Sequence, residues 1–199
     1  MKKNKLGLVI IIEGFSGSGK STLAKHILKF ISKKIGFTVL LDGDEIRLFM
    51  SSINFKMGYT KLDRGKKAAI PVAKLINIFI KKNINVIYPN VGLNNSATEV
   101  WYKNFKKIIY IQITSDVNEI IKFNKKDLYK KVRKNIVGID IKPDYNKKAD
   151  IIIVNNFKKP FSNLVNEVKK ELKKLIWKKY RVKKYSLSWT IRRKFASWS

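Results

Sequence analysis

Residues Gly14-Phe15-Ser16-Gly17-Ser18-Gly19-Lys20-Ser21 fit the pattern G-x-x-x-x-G-K-[ST], and Thr22 opens a helical pattern directly behind them. Glycines let successive backbone N–H groups turn inward, so that they converge on phosphate oxygens. The start of the following helix adds partial positive charge at the same point. Lys20 is placed to reach the β- and γ-phosphates, and the Ser21 hydroxyl to hold Mg²⁺. Gly14 through Thr22 are therefore expected to bind a nucleoside triphosphate. A second group follows: Asp42-Gly43-Asp44-Glu45-Ile46-Arg47 sets carboxylates and an arginine after the apolar run 37–41. In open α/β sheets the carboxyl ends of strands are where ligands bind. A carboxylate such as Asp44 can orient a hydroxyl or accept its proton there, and can help hold Mg²⁺. Arg47 can fork onto an anionic acceptor. Read alone, Asp-Gly-Asp fits an ordinary turn equally well, with Gly43 as its bend.

Elements must carry these groups. Short apolar runs at 8–12, 37–41, 85–88, 108–113 and 150–154 alternate with amphipathic stretches near 21–35, 61–82, 92–104 and 115–134. That alternation predicts an α/β fold, a parallel sheet of about five strands flanked by helices. Pro71 falls inside the second amphipathic stretch and predicts a kink or break there. Leu164, Val165, Val168, Leu172, Leu175 and Ile176 mark a last helix over 162–180. The lone histidine, His26, sits on the helix behind the glycine-rich loop and reads as a packed or solvent-facing residue.

The chain has 199 residues, enough for one α/β domain with a full core. It has no cysteine, which excludes disulfides and thiolate metal sites and fits a reducing, cytoplasmic setting. Met1-Lys2-Lys3 before an apolar run has the outline of a signal peptide, but the phosphate loop follows at once, so that run is read as the first core strand. Lys and Arg number 44 against 14 Asp and Glu, a formal net charge of +30. Such a field favours anionic partners. The lysines are spread over every segment, which fits a compositional bias toward Lys, Ile and Asn better than a nucleic-acid face, so no specific nucleic acid is expected. The chain divides into a domain over 1–176 and a basic, helical, aromatic extension over 177–199. The extension holds Trp177, Tyr180, Tyr185, Trp189, Phe195 and Trp198 among eight basic residues and no acid. Such a tail can lie on an anionic surface.

Several of these segments together resemble one family. Gly14–Ser21 and Asp42–Arg47 are similar to the paired loops of adenylyl-sulfate kinases, G-[LF]-S-G-x-G-K-[ST] and D-G-D-x-[VIL]-R. Gly58-Tyr59-Thr60-Lys61-Leu62-Asp63-Arg64 resembles the family's G-[FY]-[ST]-x-x-D-R, and Lys126-Asp127-Leu128-Tyr129-Lys130-Lys131-Val132-Arg133 its K-G-L-Y-K-K-A-R. Gly138-Ile139-Asp140 with Pro143-Asp144-Tyr145 resembles G-I-D-x-P-Y. The matches are collinear over about residues 8–156. The resemblance implies a P-loop kinase that uses ATP and Mg²⁺ to phosphorylate the 3′-hydroxyl of adenylyl sulfate. A related kinase acting on a different nucleotide conjugate or small metabolite is the alternative within enzymes. A nucleic-acid or membrane-surface binder with a vestigial nucleotide site is the alternative outside them. By the same resemblance Asp44 is the base or hydroxyl-orienting carboxylate, with Ser21 on the metal. Arg47 and Arg64 grip a small-molecule nucleotide acceptor, Tyr59 stands beside its base, and Lys126, Lys130 and Arg133 belong to a mobile lid. The family often forms homodimers.

The chain also departs from the family. Where the pattern after D-R runs x-x-N-I-R-R, this chain has Gly65-Lys66-Lys67-Ala68-Ala69-Ile70. Where the family has S-P-[FY]-R, it has Tyr88-Pro89-Asn90-Val91. The R-D that leads the lid is Phe123-Asn124, and the aromatic-threonine pair before G-I-D is Ile136-Val137. The losses fall mostly on acceptor recognition and leave the phosphate-binding residues intact. A lysine elsewhere lacks the bidentate fork of the missing arginines.

Overall fold

Six consecutive buried residues, Val-Ile-Ile-Ile-Glu-Gly, make strand β1 (Val9–Gly14), a run that is apolar on both faces as a central parallel strand requires. The computed structural model describes residues 6–55, 58, 60–123 and 134–180. Beside β1 stand β2 (Thr38–Leu40), β3 (Asn85–Asn90), β4 (Ile108–Thr114) and β5 (Ile151–Val154), all parallel, in the order β2-β3-β1-β4-β5. The expected α/β sheet is thus found. Each crossover is helical: α1 (Lys20–Ile35), α2 (Gly43–Ser52), α3 (Ala68–Lys81), α4 (Asn95–Asn104) and α5 (Val117–Phe123), with α6 (Phe161–Tyr180) closing the described chain.

The pleat sorts β1 into two cores. Ile10 and Ile12 pack with Leu23, Ile27 and Ile31 of α1 and Val168 and Leu172 of α6. Val9 and Ile11 face the other way, onto Val72 and Ile76 of α3, Trp101 of α4 and Phe105 just past its end. Period-two alternation in a buried strand therefore fastens helices to both faces. The strand order reverses at β1, which has β3 on one side and β4 on the other, and the glycine-rich loop leaves the sheet at that switch point.

Two expectations need correction. The segment after β2 is a helix from its first residues, not an ordinary turn: Asp42 is the N-cap of α2, and its carboxylate accepts the Asp44 N–H at 3.0 Å. Gly43 serves close approach rather than a bend, because a Cβ there would stand 2.8 Å from the Pro89 carbonyl oxygen. The break in the second amphipathic stretch falls at Gly65 (φ −80°, ψ −135°), ahead of Pro71, which sits in the first turn of α3. A proline is tolerated in that first turn, and the chain bends upstream of it. Helix α6 runs across residue 176 to Tyr180. Residues 181–199, with the rest of the aromatic extension, lie outside the described residues. Among the described residues no helix is long and apolar enough to cross a membrane.

Candidate active site

The loop between β1 and α1 takes left-handed conformations at Gly17 (φ 81°) and Gly19 (φ 97°), where a Cβ would be strained. Gly19 is also the N-cap of α1; it supplies no side-chain hydrogen bond, and the first turn holds no acidic residue. The start of a helix with no capping side chain is a place where an anion can settle. Lys20 is buried, and its ammonium donates to the Phe15 carbonyl at 2.7 Å, inside the loop it is meant to serve. The Phe15 ring is structural: it is buried in a cluster with Leu93, Ile120 and Val137 and meets Tyr145 edge-on at 6.3 Å. His26 is exposed, as a residue on the outer side of α1.

Against this loop opens a cleft of about 450 Å³. Ser16, Gly17, Gly19, Lys20, Ser21 and Thr22 line one end, and Asp42, Gly43, Asp44, Arg47 and Arg64 line the other. The two groups of the sequence therefore share one cavity; Gly14, Phe15 and Ser18 shape the loop without reaching the cleft. Asp44 stands in the first turn of α2, a position its N-cap secures. Arg47 donates to the Gly58 carbonyl at 3.2 Å, and Arg64 to the Asn135 carbonyl at 3.2 Å, so both guanidinium groups also brace neighbouring loops. Tyr59, Lys126, Lys130 and Arg133 lie outside the described residues.

The distant sequence segments converge here. Lys61 and Asp144 pair at 3.0 Å, joining the 58–64 segment to the Pro143-Asp144-Tyr145 segment. Asp144 also donates its N–H to the Leu93 carbonyl at 2.9 Å, and Asn94 donates to the Lys61 carbonyl at 2.8 Å. Asp63 accepts from Thr60 at 2.7 Å and from Lys67 at 2.9 Å, and these hydrogen bonds hold its carboxyl below the usual range. Three positions where the resembling family carries arginine, here Ala69, Val91 and Phe123, all line the cleft. Its wall is apolar at those points, with Ala68, Ala97, Tyr88 and Trp101 alongside.

Some lining residues carry no motif and escape sequence reasoning. Asn155, just past β5, donates to the Ser18 carbonyl of the phosphate loop at 3.0 Å and accepts the Phe157 N–H at 3.2 Å. Phe157 has φ 60°, a strained value for an aromatic residue, and stacks on Phe123 with ring centroids 4.9 Å apart. Both rings line the cleft beside the phosphate loop, as does Phe161. The only local signal was the pair Asn155-Asn156 before an aromatic, which is too common to single out.

Comparison with known proteins agrees with this architecture. A family model described as adenylylsulphate kinase matches residues 6–154. The chain is 29% identical over 181 residues to a cytidine diphosphoramidate kinase of Campylobacter jejuni, covering 88% of this chain and 99% of that one. It is 32% identical over 161 residues to an adenylyl-sulfate kinase of Clostridium acetobutylicum, covering 77% and 76%. In fold it resembles the Mycobacterium tuberculosis APS kinase solved with AMPPNP and APS, with a TM-score of 0.67 and 20% identity over 84% of this chain and 98% of that one. The five-stranded parallel sheet, the phosphate loop at its switch point and the match over most of the length lead to one statement: this chain belongs to the adenylylsulphate kinase family of P-loop kinases.

Proposed function

We propose that the chain transfers the γ-phosphoryl group of ATP to a hydroxyl of a nucleotide conjugate. The observation that carries this is the shared cleft: amides and Lys20 at one end, the Asp44 carboxylate and two arginines at the other. The loop amides and the start of α1 hold the phosphates, while Lys20 exchanges the Phe15 carbonyl for phosphate oxygens and spreads their charge. Asp44 orients the acceptor hydroxyl and takes its proton as the bond to phosphorus forms. Arg47 and Arg64 hold the acceptor's anionic part. Phe157 and Phe123 offer a flat apolar shelf for the donor base, tied through Asn155 to the phosphate loop.

Ser21, Asp42 and Asp44 supply hydroxyl and carboxylate oxygens at the cleft, the hard donors that Mg²⁺ prefers, and among the described residues no group of three or more His, Cys, Asp or Glu side chains forms a metal cage of its own. That donor set fits Mg²⁺ shared with phosphate oxygens, where it would neutralise developing charge. Lys126, Lys130 and Arg133 complete the reading as lid residues.

Two acceptors are distinguished by different observations. Adenylyl sulfate follows from the family and from relatives such as the Clostridium kinase. Cytidine diphosphoramidate is favoured by the alignment over 99% of the Campylobacter kinase and by the uncharged Ala69 and Val91 where the family pattern has arginine. Coupled ADP release with ATP, Mg²⁺ and each acceptor separates them, and the phosphorylated product identifies the hydroxyl. Turnover of one acceptor alone selects it; turnover of neither removes both. Absence of measurable affinity for ATP with Mg²⁺ would remove the kinase reading itself.

A further inference from the structure

Among the described residues one carboxylic acid is fully buried, and it belongs to no motif. Glu13 is the fifth residue of β1, directly before Gly14 of the phosphate loop, and is 1% exposed. A buried carboxyl must find hydrogen-bond partners, and those of Glu13 lie far away in sequence. One oxygen accepts the Leu93 N–H at 2.8 Å, and the other accepts the Trp101 indole N–H at 3.4 Å. Tyr110 adds a hydroxyl contact and in turn lies 3.3 Å from the Thr98 hydroxyl.

What Glu13 grips is unusual. Gly92 and Leu93 both have positive φ, 33° and 46°. A branched residue such as Leu93 rarely adopts that conformation and keeps it only where its surroundings impose it. Leu93 is held three times: its amide by Glu13, its carbonyl by the Asp144 N–H at 2.9 Å, and its side chain by burial. At Gly92 a Cβ would collide with the Glu13 carboxyl, so the turn is folded directly onto this group. Val91, Gly92 and Trp101 line the cleft. Asn94 then caps α4 through the Ser96 and Ala97 amides, which fixes the way the chain leaves the turn.

We propose that Glu13 is a positioning residue for the acceptor: its buried carboxyl clamps the strained Gly92–Leu93 turn and the Trp101 indole into one wall of the cleft, and it couples that wall to the strand carrying the phosphate loop. This rests on the kinase reading above. Burial pushes the Glu13 carboxyl above its ordinary value, and the hydrogen bonds from Tyr110, the Leu93 amide and Trp101 oppose that only in part. Glutamine is accordingly the conservative replacement, since it keeps one acceptor oxygen and similar bulk while losing the second acceptor.

The test uses the full chain with Glu13→Ala, Glu13→Gln and Trp101→Phe, assayed with ATP and Mg²⁺ against whichever of adenylyl sulfate and cytidine diphosphoramidate the unaltered protein phosphorylates. For Glu13→Ala the acceptor KM should rise by about tenfold or more, as small misplacements of a positioning wall do, while the ATP KM stays within about twofold. Glu13→Gln should recover most of that loss, and Trp101→Phe should fall between, because an aromatic ring remains while the indole N–H bond and part of the buried ring volume go. Amide exchange is the readout independent of turnover: segment 90–94 should exchange faster in Glu13→Ala, with segment 14–22 unchanged. Parallel rises in both KM values, or unchanged exchange at 90–94, would overturn the assignment. If the unaltered protein phosphorylates neither acceptor, the kinase reading of the acceptor fails, and the exchange comparison still decides whether Glu13 holds this turn. Should Glu13→Ala not fold, Glu13→Gln and Trp101→Phe carry both readouts.

Discussion

In the proposed reading the phosphate-binding part of the cleft comes from one continuous stretch, Gly14 to Thr22, whose working parts are backbone amides, Lys20 and Ser21. The acceptor end is assembled from α2, the broken segment 60–70, the turn after β3 and the loop around Asp144. Its ties join residues far apart in sequence: Lys61 to Asp144, Arg64 to Asn135, Leu93 to Glu13. A local backbone cradle tolerates almost any side chain outside the pattern, so it persists while its neighbours change. A cavity made of side chains from four segments changes whenever one of them does. The losses of arginine at Ala69 and Val91 fall on that second kind of construction, while Phe123 stacks on Phe157 beside the phosphate loop.

The contrast can be broken most sharply at Asp44 and Lys20. Asp44→Ala should lower kcat by about 10² to 10⁴, the usual worth of a positioned proton acceptor, while ATP affinity measured by titration stays nearly intact. Lys20→Ala should weaken ATP binding and transfer together, and an unchanged ATP affinity would strike Lys20 from the donor end. Gly43→Ala tests the seam between the two ends. A Cβ there meets the Pro89 carbonyl oxygen at 2.8 Å, so the start of α2 must shift, and about 10² in kcat should follow with ATP affinity unchanged. A smaller effect concerns pH. The Glu13 carboxyl has a folded-state value raised above its ordinary 4.5, so the fold binds this proton more tightly than the unfolded chain does. Its contribution is therefore fully present below 4.5 and is lost as pH rises through the folded value. Thermal melts of Glu13→Gln should lack that decline, which appears as a gap closing in favour of the variant as pH rises. The smallest change in turnover is expected from deleting residues 181–199. Activity should stay within about twofold, while sedimentation with anionic vesicles at low salt is lost, and binding by the full chain should weaken as salt rises.

Much of this was legible because the physics is local. Apolar runs of strand length marked all five strands, and the phosphate loop announced its turn through glycines that take positive φ in the structure. Helix α2 was less visible because Asp42 reads equally as a turn residue or an N-cap, and only the Asp44 amide it accepts decides between them. Pro71 marked a break correctly in kind but six residues late: the chain bends at Gly65, and Pro71 stands in the first turn of α3, where a proline is tolerated. Glu13, Asn155 and Phe157 were not legible. Each matters through a partner more than a few residues away or through a strained φ, and neither leaves a mark in spacing.

Helix α1 begins without a capping side chain and with no acid in its first turn. Such a helix start is finished by whatever anion settles on it, so a phosphate group there acts as a missing piece of secondary structure as well as a reactant. Nucleotide supply would then set how firmly this half of the sheet is held, and the melting temperature should climb with the logarithm of ATP concentration once the site is mostly filled.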